Sequence, residues 1–273
     1  MDRLWAKLFG YRFHPKIPRD NIARVADVGT GTAYVCSMNF PAPIQRQLAL
    51  TLHHKLNSIW LFEASTDLPE GAQLDGLDVS FNSAPPAGVV PANFRYQRWH
   101  VKEAVPENLV GVYDVIHVRF FSFVLVDDDI ASVLAKLFQM LQPGGYIQWE
   151  EPPIGTIRID KSRPEDSTDQ LWSLCNLIQA QDPRLRPTWP NRLPTLFAEA
   201  GFVDVEQDER DAPPLLAFQI HEANLVIYEL IARTTKSEHM AAELRRILPG
   251  ALDETRKGAY ATSLRYTWIG RKP

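Results

Sequence analysis

Cysteine is scarce in this chain, and its scarcity excludes a fold built on disulfides. Two cysteines, Cys36 and Cys175, occur in 273 residues. That number provides no disulfide framework and favours a reducing compartment, so we expect a cytoplasmic location. Neither cysteine has metal-ligand spacing to a histidine or to the other cysteine, so we expect no metal site.

Long runs of one residue class are also missing. No segment approaches the roughly 20 apolar residues that a membrane span requires. Residues 1–7 carry scattered charges, so they contain no apolar signal core. The net charge is −4 and Lys and Arg form no long run, which argues against binding by phosphate neutralisation. We therefore expect neither a membrane nor a nucleic acid as partner, whereas a protein partner stays open.

Apolar runs and helical stripes alternate along the chain, which predicts an α/β fold with a mainly parallel sheet. A length of 273 residues with 45% hydrophobic residues suits one domain over 1–273. The first strand opens at Arg24, and further strands are predicted at 74–79, 94–101, 113–120, 146–150, 202–205 and 260–269. Helices are predicted at the chain start and at 59–64, 130–141, 171–178, 193–200, 221–233 and 238–247.

A small-residue turn follows the first strand in Asp27-Val28-Gly29-Thr30-Gly31-Thr32-Ala33. Glycine permits a sharp turn and close approach of a ligand to the main chain, and this edge of an open α/β sheet is the usual ligand site. A dinucleotide fingerprint would need Gly or Ala at position 34, which is Tyr34. The turn instead resembles the first motif of class I S-adenosylmethionine (SAM) methyltransferases.

Longer blocks are similar to the fungal LaeA-like (UMTA-type) methyltransferase family. The similarity covers residues 5–150 well and the remainder loosely, and its blocks are 26–32, 59–61, 74–80, 111–119 and 141–151. It implies a Rossmann-like class I fold with seven strands, one of them antiparallel, plus cap helices. It also implies SAM as cofactor and a small-molecule acceptor in secondary metabolism, or a regulatory role with nuclear protein partners.

The resemblance implies a cofactor-binding set. Asp27, Gly29 and Gly31 would line the methionine end of SAM, with Thr30 between the glycines. Asp78, at the end of the second strand, would hold the ribose, with Val79 against the adenine. The remaining members of the set are His100 and Val101 near the adenine amino group, and Arg119 near the transferred methyl group.

Some roles stay open. For Arg119 a structural pairing with an acidic residue is as good an interpretation as a catalytic one. His117, inside an apolar strand, is interpreted as a core histidine, and no catalytic residue is assigned. Helices in 152–190 and 221–247 are predicted to roof the acceptor pocket, where the aromatic residues Trp172, Trp189 and Tyr228 serve either a flat acceptor or core packing.

Two departures from the family pattern leave alternatives. Residues 34–58 separate the glycine turn from Ile59, and we predict that they are a retained-intron translation or a recent insertion. The chain is also expected to start too late for the helix that covers the SAM site in the family. A small-molecule methyltransferase is the favoured hypothesis; a SAM-binding regulator, a catalytically impaired homologue and, more remotely, a NAD-dependent oxidoreductase are the others.

Overall fold

Seven strands form the main sheet of this computed structural model, which describes residues 2–30, 59–81, 88, 90–181, 186–235 and 237–273. Their order is β3-β2-β1-β4-β5-β9-β7. The bounds are β1 Arg24–Val28, β2 Gln73–Asp78, β3 Phe94–Arg98, β4 Tyr113–Arg119, β5 Leu141–Glu151, β7 Val203–Arg210 and β9 Arg265–Arg271. The first five strands are parallel to one another, through the pairs β1–β2, β2–β3, β1–β4 and β4–β5. β9 runs antiparallel to both of its neighbours, β5 and β7. The predicted sheet with one antiparallel strand is confirmed.

Helices cover both faces of this sheet. The described helices are α1 Asp2–Phe9, α2 Ile59–Ala64, α3 Ile130–Met140, α4 Asp169–Gln179, α5 Leu193–Glu199, α6 Pro214–Thr234 and α7 Glu238–Arg256. The stripe of α3 buries Val133, Leu134 and Leu137, which join the core with Ile116 and Trp149. On the other face, Val25 and Val115 form a core with residues of α2 and of the N-terminal segment. The alternation of side chains along β1, β4 and β5 assigns each residue to one of these faces.

The segments that connect β5 to β7 and β7 to β9 form a second unit. It contains α4, α6, α7 and a two-stranded sheet of β6 Arg158–Asp160 and β8 Tyr260–Thr262. We call these elements the cap. The core of α4, α6 and α7 is a separate apolar cluster around Leu171, Leu225 and Leu244.

The prediction of one strand over 260–269 is wrong. The chain forms β8 in the two-stranded sheet, breaks at Ser263 and Leu264, and then joins the seven-stranded sheet as β9. The backbone N–H of Leu264 donates instead to Thr156 Oγ1 at 3.1 Å. The hydroxyl of Thr156, 108 residues earlier, thus accepts the N–H that a continuous strand would have donated to a neighbouring strand.

Helix α6 is the one helix in the described ranges that is long and apolar enough to cross a membrane by length and composition. Of its most apolar 18-residue stretch, 39% is buried inside the protein. The buried residues Leu225 and Ile231 pack in the cap core, and His221 bonds to Thr255 of α7. These contacts attach one side of α6 to the cap core.

Candidate functional site

The carboxyl ends of β1, β2, β3 and β4 meet at one edge of the sheet because these strands are parallel neighbours. This edge gathers most of the residues that the sequence singles out: Asp27, Gly29, Thr30, Asp78, Val79, His100, Val101 and Arg119. Gly31 and the whole of 34–58 lie outside the described residues.

Gly29 turns the chain away from β1 with φ of +74°, a left-handed conformation that favours glycine. Its N–H donates to Leu77 O at 2.8 Å, which ties the turn to β2. A Cβ at this position would lie 2.4 Å from Cε2 of the Phe121 ring. Gly29 is therefore needed for its backbone angle and for the close packing of the segment that follows β4.

Asp27 is buried, and both of its carboxylate oxygens have partners. Thr30 Oγ1 donates to Oδ2 at 2.8 Å, which closes the turn around Gly29. Oδ1 lies 2.7 Å from His117 Nδ1 on the neighbouring strand, as the register of β1 with β4 requires. Asp27 thus orients the glycine turn from within the protein.

Asp78 ends β2 with a carboxylate that is 4% exposed. Its Oδ1 accepts the N–H of Ser80 at 3.2 Å. A carboxylate offers about four acceptor positions, which suits it to accept from the hydroxyls of a sugar. Val79 next to it is half-buried.

His100 and Val101 follow β3 but differ in what they offer. His100 is half-buried, and its Nδ1 accepts the N–H of Lys102 at 3.0 Å, which leaves Nε2 as the nitrogen that carries the proton in the neutral ring. Val101 is buried in the apolar core. Of these two residues, it is His100 that presents a polar side chain.

A charged row runs across the sheet beside the glycine turn, through Asp27, His117, Glu150 and Arg119. His117 is 1% exposed, and its Nε2 lies 3.3 Å from Glu150 Oε2, an ion-pair contact outside hydrogen-bond geometry. Arg119 Nη1 lies 3.4 Å from the same Glu150 oxygen. Glu150 is therefore the acidic residue that a structural role of Arg119 requires.

His117 is charged in this setting. Burial acts to lower its pKa, but the carboxylates of Glu150 and Asp27 outweigh burial and raise the pKa to about 9. The Trp60 ring of α2 lies flat on the imidazole, with ring centroids 3.7 Å apart and planes at 5°. Tryptophan stacking suits a cation. The interpretation of His117 as a core histidine was correct on burial and missed the charge; the i to i+2 spacing of His117 and Arg119 on one strand face was the available signal.

Glu151 holds the turn after β4 from the opposite face of the sheet. It is fully buried and accepts from the Phe121 N–H at 2.5 Å, Ser122 Oγ at 2.8 Å and Trp149 Nε1 at 2.9 Å. Burial raises its pKa to about 7, although these donors act to lower it. The anchored turn places Phe120 in a left-handed conformation, with φ of 60°.

Helix α1 covers this edge of the sheet from above. The Trp5 ring meets the Phe120 ring edge-on, with centroids 5.7 Å apart, and Trp5 Nε1 donates to Thr267 Oγ1 at 3.3 Å. Leu8 packs against the start of α6 in the cap. The N-terminal helix therefore joins the sheet edge to the cap. Of the aromatic residues left open between a flat acceptor and core packing, Trp189 is buried against Trp149 and serves the core.

Comparison with known sequences relates the chain to fungal methyltransferases. No family model matches it. It is 35% identical over 138 residues to methyltransferase grgD of a Penicillium species, covering 50% of this chain and 41% of that protein. It is 28% identical over 153 residues to N-methyltransferase verN of Clonostachys rogersoniana, covering 56% and 50%. It is 26% identical over 155 residues to N-methyltransferase tcpN of Claviceps purpurea, covering 55% and 52%. The chain thus spans about half the length of the curated relatives it matches.

Solved structures show the fold. A Haemonchus contortus phosphoethanolamine N-methyltransferase, in complex with phosphomonomethylethanolamine and S-adenosylhomocysteine, is 14% identical with a TM-score of 0.50, over 99% of this chain and 52% of that one. A candidate methyltransferase of Bacillus halodurans gives 13% and 0.50, over 98% of each chain. The [4+2]-cyclase SpnF gives 16% and 0.50, over 100% and 80%.

The cyclase limits what the fold says about the reaction. It shares the architecture to the same TM-score as the methyltransferases, so function must be argued from the site. The chain has the Rossmann-like fold of class I SAM methyltransferases and sequence similarity to methyltransferases of fungi.

Proposed function

We propose that the protein is a SAM-dependent methyltransferase that acts on a small molecule in fungal secondary metabolism. The observation that carries the proposal is the buried Asp78 carboxylate beside the Gly29 turn, at the carboxyl edge of a class I sheet. An acidic residue at the end of β2 takes the position that binds ribose hydroxyls in related nucleotide-binding folds. The fungal methyltransferases of similar sequence support the same activity.

The residues present fit SAM by their chemistry. Asp78 would accept the ribose hydroxyls, Val79 would contact the adenine, and His100 would address the adenine edge. Asp27 acts through Thr30 to hold the turn that the methionine end would meet, and Gly31 belongs to the same proposed set. When bound, SAM supplies an activated methyl group, so the protein has to align the acceptor and exclude water.

Arg119, near the proposed methyl group, is held in place by two neighbouring side chains. Glu150 holds Arg119 through the 3.4 Å contact, and the Arg119 guanidinium lies 5.4 Å from the Phe120 ring centroid. Burial lowers the pKa of Arg119, and Glu150 opposes that effect. This arrangement suits orientation of an acceptor, and it provides no nucleophile for a covalent intermediate.

A nitrogen is the acceptor atom that we propose to test first. Two of the similar fungal proteins carry N-methyltransferase names. A LaeA-like regulator that binds SAM and acts through protein partners is the second candidate, and its support is the resemblance over residues 5–150. Methyl transfer from SAM to a panel of aromatic and aliphatic amines favours the first candidate, whereas SAM binding without transfer to any amine favours the second.

Calorimetric titration with SAM, S-adenosylhomocysteine and NAD tests cofactor binding. We expect micromolar or tighter binding of the first two and none of NAD. Loss of a hydrogen-bond acceptor that is charged costs about 1.5–3 kcal/mol, so Asp78→Ala should weaken SAM binding roughly 10- to 150-fold. Asp128→Ala, at an exposed position on the α3 side, is the matched control. Unchanged SAM affinity in Asp78→Ala removes this carboxylate from the site.

A further inference from the structure

Arg265 opens β9 with a guanidinium that the protein buries but does not neutralise. The residue is 8% exposed. Toward the residues that the structure describes, its hydrogen bonds come from Nη1, which donates to Ser263 O, to Ser263 Oγ at 2.9 Å and to Leu264 O at 3.3 Å. These acceptors are neutral atoms of the turn between β8 and β9.

Within the described residues, no carboxylate oxygen lies within 4 Å of this guanidinium. Asp211 is the carboxylate that acts on it from farther away, and Asp211 already pairs with Arg158 Nη2 at 2.7 Å. Burial of an unpaired charge is expensive, and proteins normally place a counter-charge beside it. Burial accordingly lowers the pKa of Arg265 to about 10.

The Nε and Nη2 edge of the guanidinium is the side that other arginines of this protein offer to carboxylates. Arg158 donates Nε and Nη2 to the two oxygens of Asp160, at 2.9 and 3.1 Å. Arg163 does the same with Asp166. The Nε and Nη2 atoms of Arg265 make no hydrogen bond to any residue that the structure describes. This pair of parallel N–H donors matches a planar carboxylate or two oxygens of a phosphate.

A second polar atom at the same turn also lacks a partner. Thr262 Oγ1 is fully buried and makes no hydrogen bond in the described part of the chain. Buried hydroxyls are nearly always hydrogen-bonded, so an unpaired one three residues from an unneutralised guanidinium is a second indication that an outside group completes this turn.

The position of Arg265 points to the acceptor rather than to the cofactor. Side chains alternate along β9, so Arg265 lies on the face of Thr267, which pairs with Glu150 in the register of β5. Neighbouring strands are about 4.8 Å apart. β9 is two strands from β4 and three from β1, or roughly 10 and 14 Å, so Arg265 lies closer to the end of β4, near the proposed methyl group, than to the Gly29 turn. Helix α1, through Trp5 and Phe9, covers the same face.

We propose that Arg265, with Thr262, binds an anionic oxygen group of the methyl acceptor, a carboxylate or a phosphate. The identification of the ligand as a methyl acceptor rests on the proposed function. The existence of an anion site at Arg265 does not depend on it. The acceptor would enter beneath α1 with its charged end against β9 and its reacting atom toward the end of β4.

The test is a titration of the full chain with sodium benzoate and, separately, with sodium phosphate. Thermal unfolding is followed at constant ionic strength adjusted with sodium chloride, in the presence and absence of S-adenosylhomocysteine. We expect a saturable rise in Tm with at least one anion. Benzoate alone would identify a carboxylate site, phosphate alone a phosphate site, and both an anion site of broader selectivity.

Variants separate this site from general salt effects. Arg265→Met should raise the apparent Kd of the effective anion at least tenfold, as should Arg265→Gln if the methionine variant does not fold. Arg246→Met is the control, because Arg246 is an exposed arginine of α7, away from the turn between β8 and β9. No saturable response in the wild type, or an equal response in Arg265→Met and wild type, overturns the proposal.

Calorimetry on the same samples keeps this result apart from the proposed function. Arg265→Met should bind S-adenosylhomocysteine with wild-type affinity. An equal loss of nucleoside and anion binding in that variant would contradict an acceptor-side role. A wild type that binds benzoate but not S-adenosylhomocysteine would overturn the proposed function and leave the anion site standing.

Discussion

Two buried histidines, one in the sheet and one in the cap, show how differently the two regions treat the same side chain. His117 lies between the carboxylates of Asp27 and Glu150, and its pKa is raised to about 9. His221 in α6 is 3% exposed, and burial lowers its pKa to about 4. Its Nδ1 accepts the Ala261 N–H at 3.2 Å, so its Nε2 carries the proton and donates to Thr255 Oγ1 at 2.9 Å.

The difference between them comes from the partners rather than from burial. Burial disfavours the charged ring in both places, and only the sheet supplies opposite charges close enough to reverse that effect. The sheet edge thus stores a positive charge beside the glycine turn, whereas the cap uses histidine as a neutral bridge between α6, α7 and β8. A region built on buried charge and one built on neutral hydrogen bonds should respond differently to substitution and to pH.

The largest effect is expected for His117→Leu. The substitution leaves the buried carboxylates of Asp27 and Glu150 without their shared cation, and breaking a buried pair in this way costs about 3–5 kcal/mol. Urea unfolding should show this decrease in the free energy of unfolding at pH 7. His239→Leu, at an exposed position of α7, should stay within about 0.5 kcal/mol of the wild type. A loss below 1 kcal/mol in His117→Leu would mean that the row is not charged as described.

The pH dependence of stability should separate the two histidines by sign. The pKa of His117 is raised from 6.5 to about 9, so its contribution is present in full below pH 6.5 and is lost as pH rises toward 9. The pKa of His221 is lowered from 6.5 to about 4, so its contribution is present above pH 6.5 and is lost as pH falls toward 4. At 1.36 kcal/mol per pKa unit, each change amounts to about 3 kcal/mol.

The measurement is the difference in the free energy of unfolding between wild type and each glutamine variant from pH 4 to 9. The wild-type minus His117→Gln difference should change mainly above pH 6.5, and the wild-type minus His221→Gln difference mainly below it. Parallel curves for the two variants across the whole range would contradict the assignment.

The smallest of these effects is expected for His221→Leu. The substitution leaves the Ala261 N–H without its acceptor, a loss of about 1–3 kcal/mol for a buried donor, while Thr255 Oγ1 still donates to Ala251 O at 2.8 Å. The free energy of unfolding should fall by less than for His117→Leu. The reverse ranking would show that the neutral bridge contributes more than the charged row.

The sequence predicts the sheet well where apolar runs are long. The run from Tyr113 to Phe120 and the stripe of Ile130, Val133 and Leu137 appear as β4 and α3, because local periodicity is enough to identify them. β6 was missed, since a three-residue strand carries no periodic signal, and β8 was merged with β9 into one predicted strand. The break at Leu264 depends on Thr156, a partner that no local pattern reveals.

The candidate site divides along the same line. Gly29 and Asp78 could be placed at the sheet edge because motif spacing and strand ends locate them. The role of Asp27 at the methionine end of SAM stays a prediction, and its pairing with His117 and Thr30 was not foreseen. That outcome depends on the register between β1 and β4, which joins residues 90 positions apart and cannot be read from one sequence. The predicted roles of 34–58 and Gly31 remain predictions, since these positions lie outside the described residues.

The interior position of β9 has a consequence for the order in which the protein can be assembled. β9 pairs with β5 on one side and with β7 on the other. Neither β5 nor β7 can form this pairing before residues 265–271 have been synthesised. During synthesis, β5 therefore presents an open edge until more than 110 further residues have been made. Open strand edges pair readily with other chains, and sheet contacts between distant residues form slowly. During the interval between synthesis of β5 and arrival of β9, the growing chain is therefore exposed to misassembly at this edge.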